Sequence, residues 1–164
     1  MAFITAGVTV ADAGIIENMG FSARKDGAQS IAADAYAKIT FGTEEWDNGG
    51  CFASSTFTVP SGGAGRWFFA ATTVWTATDL ENQYGLVWYE GGVARASYHT
   101  VGYGKSGGSE AHNASTSDAL ITNLADGDTI EVYCYNGHQS TAKNMGGNDS
   151  YGFHTHFCGF RVGS

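Results

Sequence analysis

The chain has 164 residues, enough to bury one core and too few for two ordinary domains. Sixteen acidic against eight basic side chains give a formal net charge of −8, a surface that repels phosphate backbones and anionic lipid, so neither nucleic acid nor membrane is an expected partner. Hydrophobic residues make up 43%, which argues against disorder, yet no apolar run approaches the roughly 20 residues of a spanning helix.

Twenty-four glycines and a single proline lie between short aromatic and β-branched runs, a distribution that predicts many tight turns and a mainly strand fold. Cys51, Cys134 and Cys158 are odd in number and lack metal-type spacing, so they read as free buried thiols. Met1-Ala2-Phe3-Ile4-Thr5 shows no basic n-region and no continuous apolar stretch, which points to synthesis in a cytoplasm. The N-x-S/T patterns at Asn113 and Asn148 then carry no weight.

In chain order, residues 1–20 read as an attachment arm. Its apolar residues Phe3, Ile4, Val8, Val10, Ile15 and Ile16 are spaced by Ala and Gly, too few to build a core and in need of an outside surface. Residues 21–164 read as one head. Strands are predicted at Phe21 to Lys25, Ala37 to Phe41, Phe52 to Thr58, Gly65 to Trp75, Gln83 to Tyr89, Ala94 to Val101, Asp118 to Leu124, Asp128 to Tyr135 and His156 to Val162. The Ala-rich stretch Ser30 to Lys38 is read as a turn or loop. From Gly65 to Trp75 the alternation places Trp67, Phe69, Ala71, Thr73 and Trp75 on one face and Phe68, Ala70, Thr72 and Val74 on the other. Both faces are largely apolar, so a second covering surface is expected, and a neighbouring subunit is the simplest one. Tyr133 and Tyr135 lie opposite Ile130, Val132 and Cys134 and suit the same purpose.

Several weak motifs then occur in a telling order. Phe21-Ser22-Ala23 and Ile39-Thr40-Phe41 are followed by Phe57-Thr58-Val59-Pro60 and Gly65-Arg66-Trp67-Phe68-Phe69. Glu90-Gly91-Gly92, Leu124-Ala125-Asp126-Gly127-Asp128 and Phe157-Cys158-Gly159-Phe160 come next. This series resembles the globular head of complement component C-one-q, in the jelly-roll superfamily that also contains tumour necrosis factor. The resemblance implies an all-β, ten-stranded sandwich of two antiparallel sheets assembled as a homotrimer about an axis lined by aromatics. Trp67, Phe69, Trp75, Tyr133, Tyr135, Tyr151 and Phe153 are the expected trimer-interface residues. No collagen stalk, signal peptide or membrane anchor is expected beside the head. In that form it is similar to short, Gly- and Thr-rich heads of bacteriophage virion proteins, which serve as capsid decoration proteins or as receptor-binding tips.

No local motif supports catalysis. Gly104-Lys105-Ser106-Gly107-Gly108 matches the G-x-S-x-G elbow, but it sits between strands rather than between strand and helix, and His99 stands where a phosphate loop needs its first glycine. His154 and His156 share a strand face and near a three-fold axis could surround an ion, but polar surface or interface positions are the simpler reading. His99, His112 and His138 have no clear partner in the sequence. Glu44, Glu45 and Asp47, or Asp126 and Asp128, could hold calcium, though the second pair also serves as turn formers. Trp46 and Trp75 could stack on sugars, or lie in a core. The expectation is therefore a non-enzymatic, cofactor-free trimeric decoration (cement) protein on the outside of a phage capsid, bound to the major capsid protein or another virion protein. The alternative is a receptor- or carbohydrate-binding head of a fibre or tail.

Overall fold

A computed structural model describes residues 19–78, 83–95, 99–100, 112–146 and 155–163. Among these residues every regular element is a strand, and the strands are β1 (Gly20–Arg24), β2 (Gln29–Ile31), β3 (Ala35–Lys38), β4 (Thr43–Asn48), β5 (Phe52–Ala53), β6 (Thr56–Thr58), β7 (Gly65–Thr78), β8 (Tyr84–Glu90), β9 (Val93–Ala94), β10 (His99–Thr100), β11 (His112–Leu124), β12 (Thr129–Asn136), β13 (Lys143–Met145) and β14 (His156–Gly163). They form two seven-stranded antiparallel sheets. The first runs β2-β13-β7-β14-β1-β4, with β11 on β7; the second runs β10-β8-β12-β6-β5, with β3 on β12 and β9 on β8.

The class is the expected all-β jelly roll, but the strand count exceeds the ten anticipated. One cause is that Phe52 to Thr58 is a hairpin rather than one strand. Ser54 and Ser55 both take positive φ, at 50° and 60°, and fold Phe52 back onto Phe57. Another is the Ala-rich stretch, where Asp34 at φ 48° separates β2 from β3. The head also begins earlier than residue 21: β1 opens at Gly20, Met19 packs against the core, and the Met19 carbonyl accepts a hydrogen bond from the Arg161 N–H.

Alternation explains what fills the space between the sheets. Phe21, Trp67, Phe69, Trp75 and Phe157 point inward from the first sheet and meet Phe57, Trp88, Ile130 and Val132 of the second. The rings contact one another closely: Phe21 stacks on Phe52 at 4.5 Å and meets Phe157 edge-on at 4.7 Å, and Phe57 lies 4.7 Å from Trp67. Burying each such side chain contributes about 1.5 to 3 kcal/mol, with about 0.5 to 1.5 kcal/mol more for a well-disposed aromatic pair. Trp67 keeps its indole satisfied by donating to the Gly63 carbonyl at 3.0 Å.

Polar side chains hold the strand ends. Asp126 accepts from the backbone N–H groups of Gly62 and Ala64, which pins the loop after Pro60 to the β11–β12 turn. Asp47 accepts from the N–H groups of Cys51 and Phe52. β13 and β14 follow one another along the same side of β7, and Thr155 fills the break: its hydroxyl donates to the Gly146 carbonyl and accepts from the Val74 N–H. Lys25 is buried, and its ammonium donates to the carbonyl and hydroxyl of Thr40 at 2.9 Å each; burial lowers its pKa.

β14 can lie between β1 and β7 because Gly159 carries no side chain. A Cβ there would sit 2.4 Å from Phe69 Cδ1 and 3.0 Å from Phe21 Cε1, both in buried rings with no room to retreat. Gly159→Ala is expected to destabilise the fold by about 1 to 3 kcal/mol in urea unfolding. Gly27→Ala, where an added Cβ meets nothing within 4 Å, is expected to stay within about 0.5 kcal/mol of the parent.

Candidate functional site

The outer face of the first sheet is the part of the molecule that the core does not explain. Residues alternating with the buried aromatics emerge there in register across adjacent strands. One row runs Asn48, Gly20, Phe160, Phe68 and Ile121, on β4, β1, β14, β7 and β11. The next runs Trp46, Ser22, Cys158, Ala70 and Ala119. Ile121 is 62% exposed, Val162 47%, Phe160 46% and Trp46 44%, and Phe68 leans on Phe160 at 5.1 Å. An apolar ridge thus borders a strip of small side chains.

Beside that strip lies a polar network. A bulge in the β1–β4 pairing falls between Ser22 and Ala23, so that Glu45 has no partner in the register and its carboxylate reaches Ser22. Ser22 Oγ donates to Glu45 Oε2 at 2.6 Å and contacts His156 Nε2 at 2.8 Å. His156 Nε2 lies 3.6 Å from Glu45 Oε2, and Arg24 Nε lies 3.7 Å from Glu45 Oε1. The Ser22 hydrogen bond, aided by the charges of His156 and Arg24, holds the Glu45 carboxyl below the usual carboxylate range. Burial pushes the Cys158 thiol up, so it stays protonated at neutral pH.

Serine, histidine and glutamate meet here without forming a nucleophilic triad. Such a triad needs the acid on the imidazole nitrogen remote from the serine, whereas both Ser22 and Glu45 approach Nε2. The serine proton is already given to the carboxylate, so Ser22 is a connector rather than an activated alcohol.

The expected interface residues separate into three groups. Trp67, Phe69 and Trp75 are correctly placed on one strand face, but that face is the inner one: each is 0% exposed in the single chain, so none is available to a neighbouring subunit. A strand apolar on both sides does not reveal which side its own second sheet covers. Tyr133 and Tyr135 sit on the outer face of the second sheet, half-buried, with Tyr133 stacked on Tyr89 at 3.8 Å and Tyr135 on Tyr36 at 4.5 Å. Tyr151, Phe153 and the arm residues Phe3, Ile4, Val8, Val10, Ile15 and Ile16 lie outside the described residues, as do His154 and Ser106.

Most of the remaining candidates have structural partners. Asp126 and Asp128 bond to loop N–H groups, Asp47 caps Cys51 and Phe52, and Trp75 is core while Trp46 is exposed. Among the described residues no three His, Cys, Asp or Glu side chains converge on a metal position. Cys51, Cys134 and Cys158 are free thiols; burial pushes Cys134 up to about 12 and raises Cys51 as well. The exposed apolar ridge and the Ser22–Glu45–His156 network were missed in the sequence. The period-2 offset between Phe157 and Phe160 carries the signal for the ridge, since residues three apart on a strand must face opposite ways.

No family model and no curated protein matches the chain. Solved structures do. The globular domain of zebrafish complement 1qA protein aligns over 88% of this chain and 98% of its own, with a TM-score of 0.59 at 14% identity. Eiger, a tumour necrosis factor from S. frugiperda, aligns over 89% and 93% with a TM-score of 0.60 at 11% identity. Murine APRIL aligns over 87% and 98% with a TM-score of 0.56 at 14% identity. With two antiparallel sheets that close β1 against β14 and these neighbours over nearly the whole head, the chain has the jelly-roll fold shared by the complement C-one-q head and tumour necrosis factor.

Proposed function

We propose that the chain is a non-enzymatic homotrimer whose subunits meet through the outer face of the first sheet, and that it decorates the exterior of a phage capsid. The observation that carries the trimer is the exposed apolar ridge of Phe68, Phe160, Ile121 and Val162, set across three neighbouring strands of a sheet whose other face is already full. Apolar surface of that kind on a sheet face marks an association site, and closed cyclic assembly covers it without leaving a copy free to polymerise. The virion role is supported by the likeness to Gly- and Thr-rich phage heads and by the interrupted apolar residues of the arm. In this reading the partner is the major capsid protein or another virion protein, and the site of action is the virion surface.

A second reading, a carbohydrate-binding head, draws on the second sheet. Tyr36 is 44% exposed, and with Tyr89, Tyr133 and Tyr135 it forms two stacked pairs beside the Lys38–Glu131 ion pair. Aromatic rings next to charged hydrogen-bonding groups are the chemistry that sugars need. Calorimetric titration of the trimer with oligosaccharides is the discriminating measurement: heat abolished by Tyr36→Ala supports the second reading, and no heat across a broad set removes it.

The assembly face has a direct test. Ile121→Asp with Phe160→Asp places three pairs of carboxylates in the proposed contact while leaving the single-chain core untouched. Loss of two apolar burials per subunit corresponds to at least about a hundredfold weaker assembly. Sedimentation should show monomers with unchanged circular dichroism, whereas a persistent trimer places the contact elsewhere. The arm is tested by deleting residues 1–18, which stops short of Met19 and its hydrogen bond to Arg161. The truncated chain should remain a folded trimer and fail to co-sediment with capsids, because three arms acting together multiply the affinity of one by about 10² to 10⁴. Undiminished capsid occupancy would remove the attachment role.

A further inference from the structure

We propose that His156 makes the assembly of this chain proton-sensitive, with the trimer tightening as the imidazole gains its second proton. The inference rests on the reading of the first sheet's outer face as the contact between copies, and it assigns that contact a control.

Hydrogen-bond accounting fixes the starting state. Ser22 has one hydroxyl hydrogen, and it is donated to Glu45 Oε2 at 2.6 Å. The 2.8 Å contact between Ser22 Oγ and His156 Nε2 therefore has the imidazole as donor, so Nε2 carries a hydrogen in the neutral ring. Nδ1 is then the nitrogen that takes up the second proton, and the imidazolium so formed keeps its Nε2 3.6 Å from Glu45 Oε2.

The surroundings determine the direction. On β1, Arg24 faces the network as its one fixed cation among the described residues, and Asp26 in the following loop lies 3.6 Å from it. On β4 the facing carboxylate is Glu45, while Glu44 pairs with the inward-facing Ala23 and acts on Cys51 instead. On β14 the neighbour is Cys158, whose thiol burial keeps neutral. The facing positions on β7 and β11 are Thr72 and Ser117, hydrogen-bonded to each other at 2.9 Å and uncharged. One cation, Arg24, thus stands against two carboxylates, Glu45 and Asp26, in each copy. Histidine is the side chain that ordinarily changes charge between pH 5 and 8, and Glu45 stays ionised through that window because Ser22 and its cationic neighbours favour the carboxylate.

Assembly removes water from this cluster and brings copies of an acidic chain together. With neutral His156 the negative excess is desolvated largely uncompensated; with the imidazolium in place, Glu45 gains a second counter-charge and the repulsion between copies falls. His156 lies in the next row beyond the small-residue strip, joined to it through Ser22, so its charge acts two register steps from the apolar ridge at Phe160. A partly exposed ion pair is modest singly, but three act together in the trimer. Their sum is about a tenfold change in the assembly constant.

The test is sedimentation equilibrium of the full chain at pH 5.5 and 8.0, for the parent, His156→Gln and Glu45→Gln, each checked by circular dichroism. Glutamine at 156 keeps an N–H donor for Ser22 and cannot titrate in this range. The parent should assemble about tenfold more tightly at pH 5.5, and both variants should lose most of that difference. A parent trimer with the same constant at both pH values overturns the proton control and leaves the trimer standing. A pH response that survives in both variants assigns it to other groups and also overturns the proposal. A monomer at both pH values removes the contact itself.

Discussion

The packing of the Phe21 and Phe69 rings against the bare backbone of Gly159 is the contact on which the rest of the head depends. It lets β14 lie between β1 and β7, joining the two ends of the described head in one sheet. Once those three strands are adjacent, period-2 alternation leaves little choice. Phe21, Phe69 and Phe157 must enter the intersheet core, and Ser22, Ala70, Cys158 and Phe160 must leave it. The buried aromatic cluster and the exposed apolar face are therefore two consequences of one register. A one-residue slip would exchange them.

That coupling also explains why polar chemistry appears where it does. The ladder between β1 and β4 is interrupted by a bulge next to Ser22, and the interruption brings a glutamate within reach of a serine and a histidine that regular pairing alone would not join to it. The network is linked to β1, β4 and β14 at once, so it fastens the edge of the sheet while lying beside the apolar ridge. Structure and proposed control share the same atoms. The proposed chemistry is charge compensation on association, and the acid and the serine both approach Nε2, which is not the arrangement of a nucleophilic triad.

Much of the head was legible in the sequence because its strands obey local rules. β7, β8, β12 and β14 fall close to their predicted positions, where β-branched and aromatic residues alternate between turn signals. The strands that escaped are those in which pairing overrides composition. β4 is acidic and polar, β13 has three residues, and β3 is half alanine; each is a strand because a neighbour offers it a ladder. The hairpin at Ser54 and Ser55 escaped because its positive φ angles are carried by serines, without the glycine that would announce them. The burial of Trp67, Phe69 and Trp75 in the single-chain core escaped for a different reason. Trp67, Phe69 and Trp75 are the bulkiest residues of β7, but bulk does not distinguish a core face from a contact face, and the outer row of Phe68, Phe160 and Ile121 became visible only with the cross-strand register. The Glu45 network required a bulge that no local pattern encodes.

Hydroxyl-radical footprinting of the full chain, above and below the concentration at which it assembles, tests the burial of the β14–β7–β11 face most directly. Ile121, Phe160 and Val162 should be protected above that concentration and oxidised below it, while Val93, 70% exposed on the second sheet, should label equally at both. Equal oxidation of all four side chains at every concentration would contradict the assembly face and the homotrimer built on it.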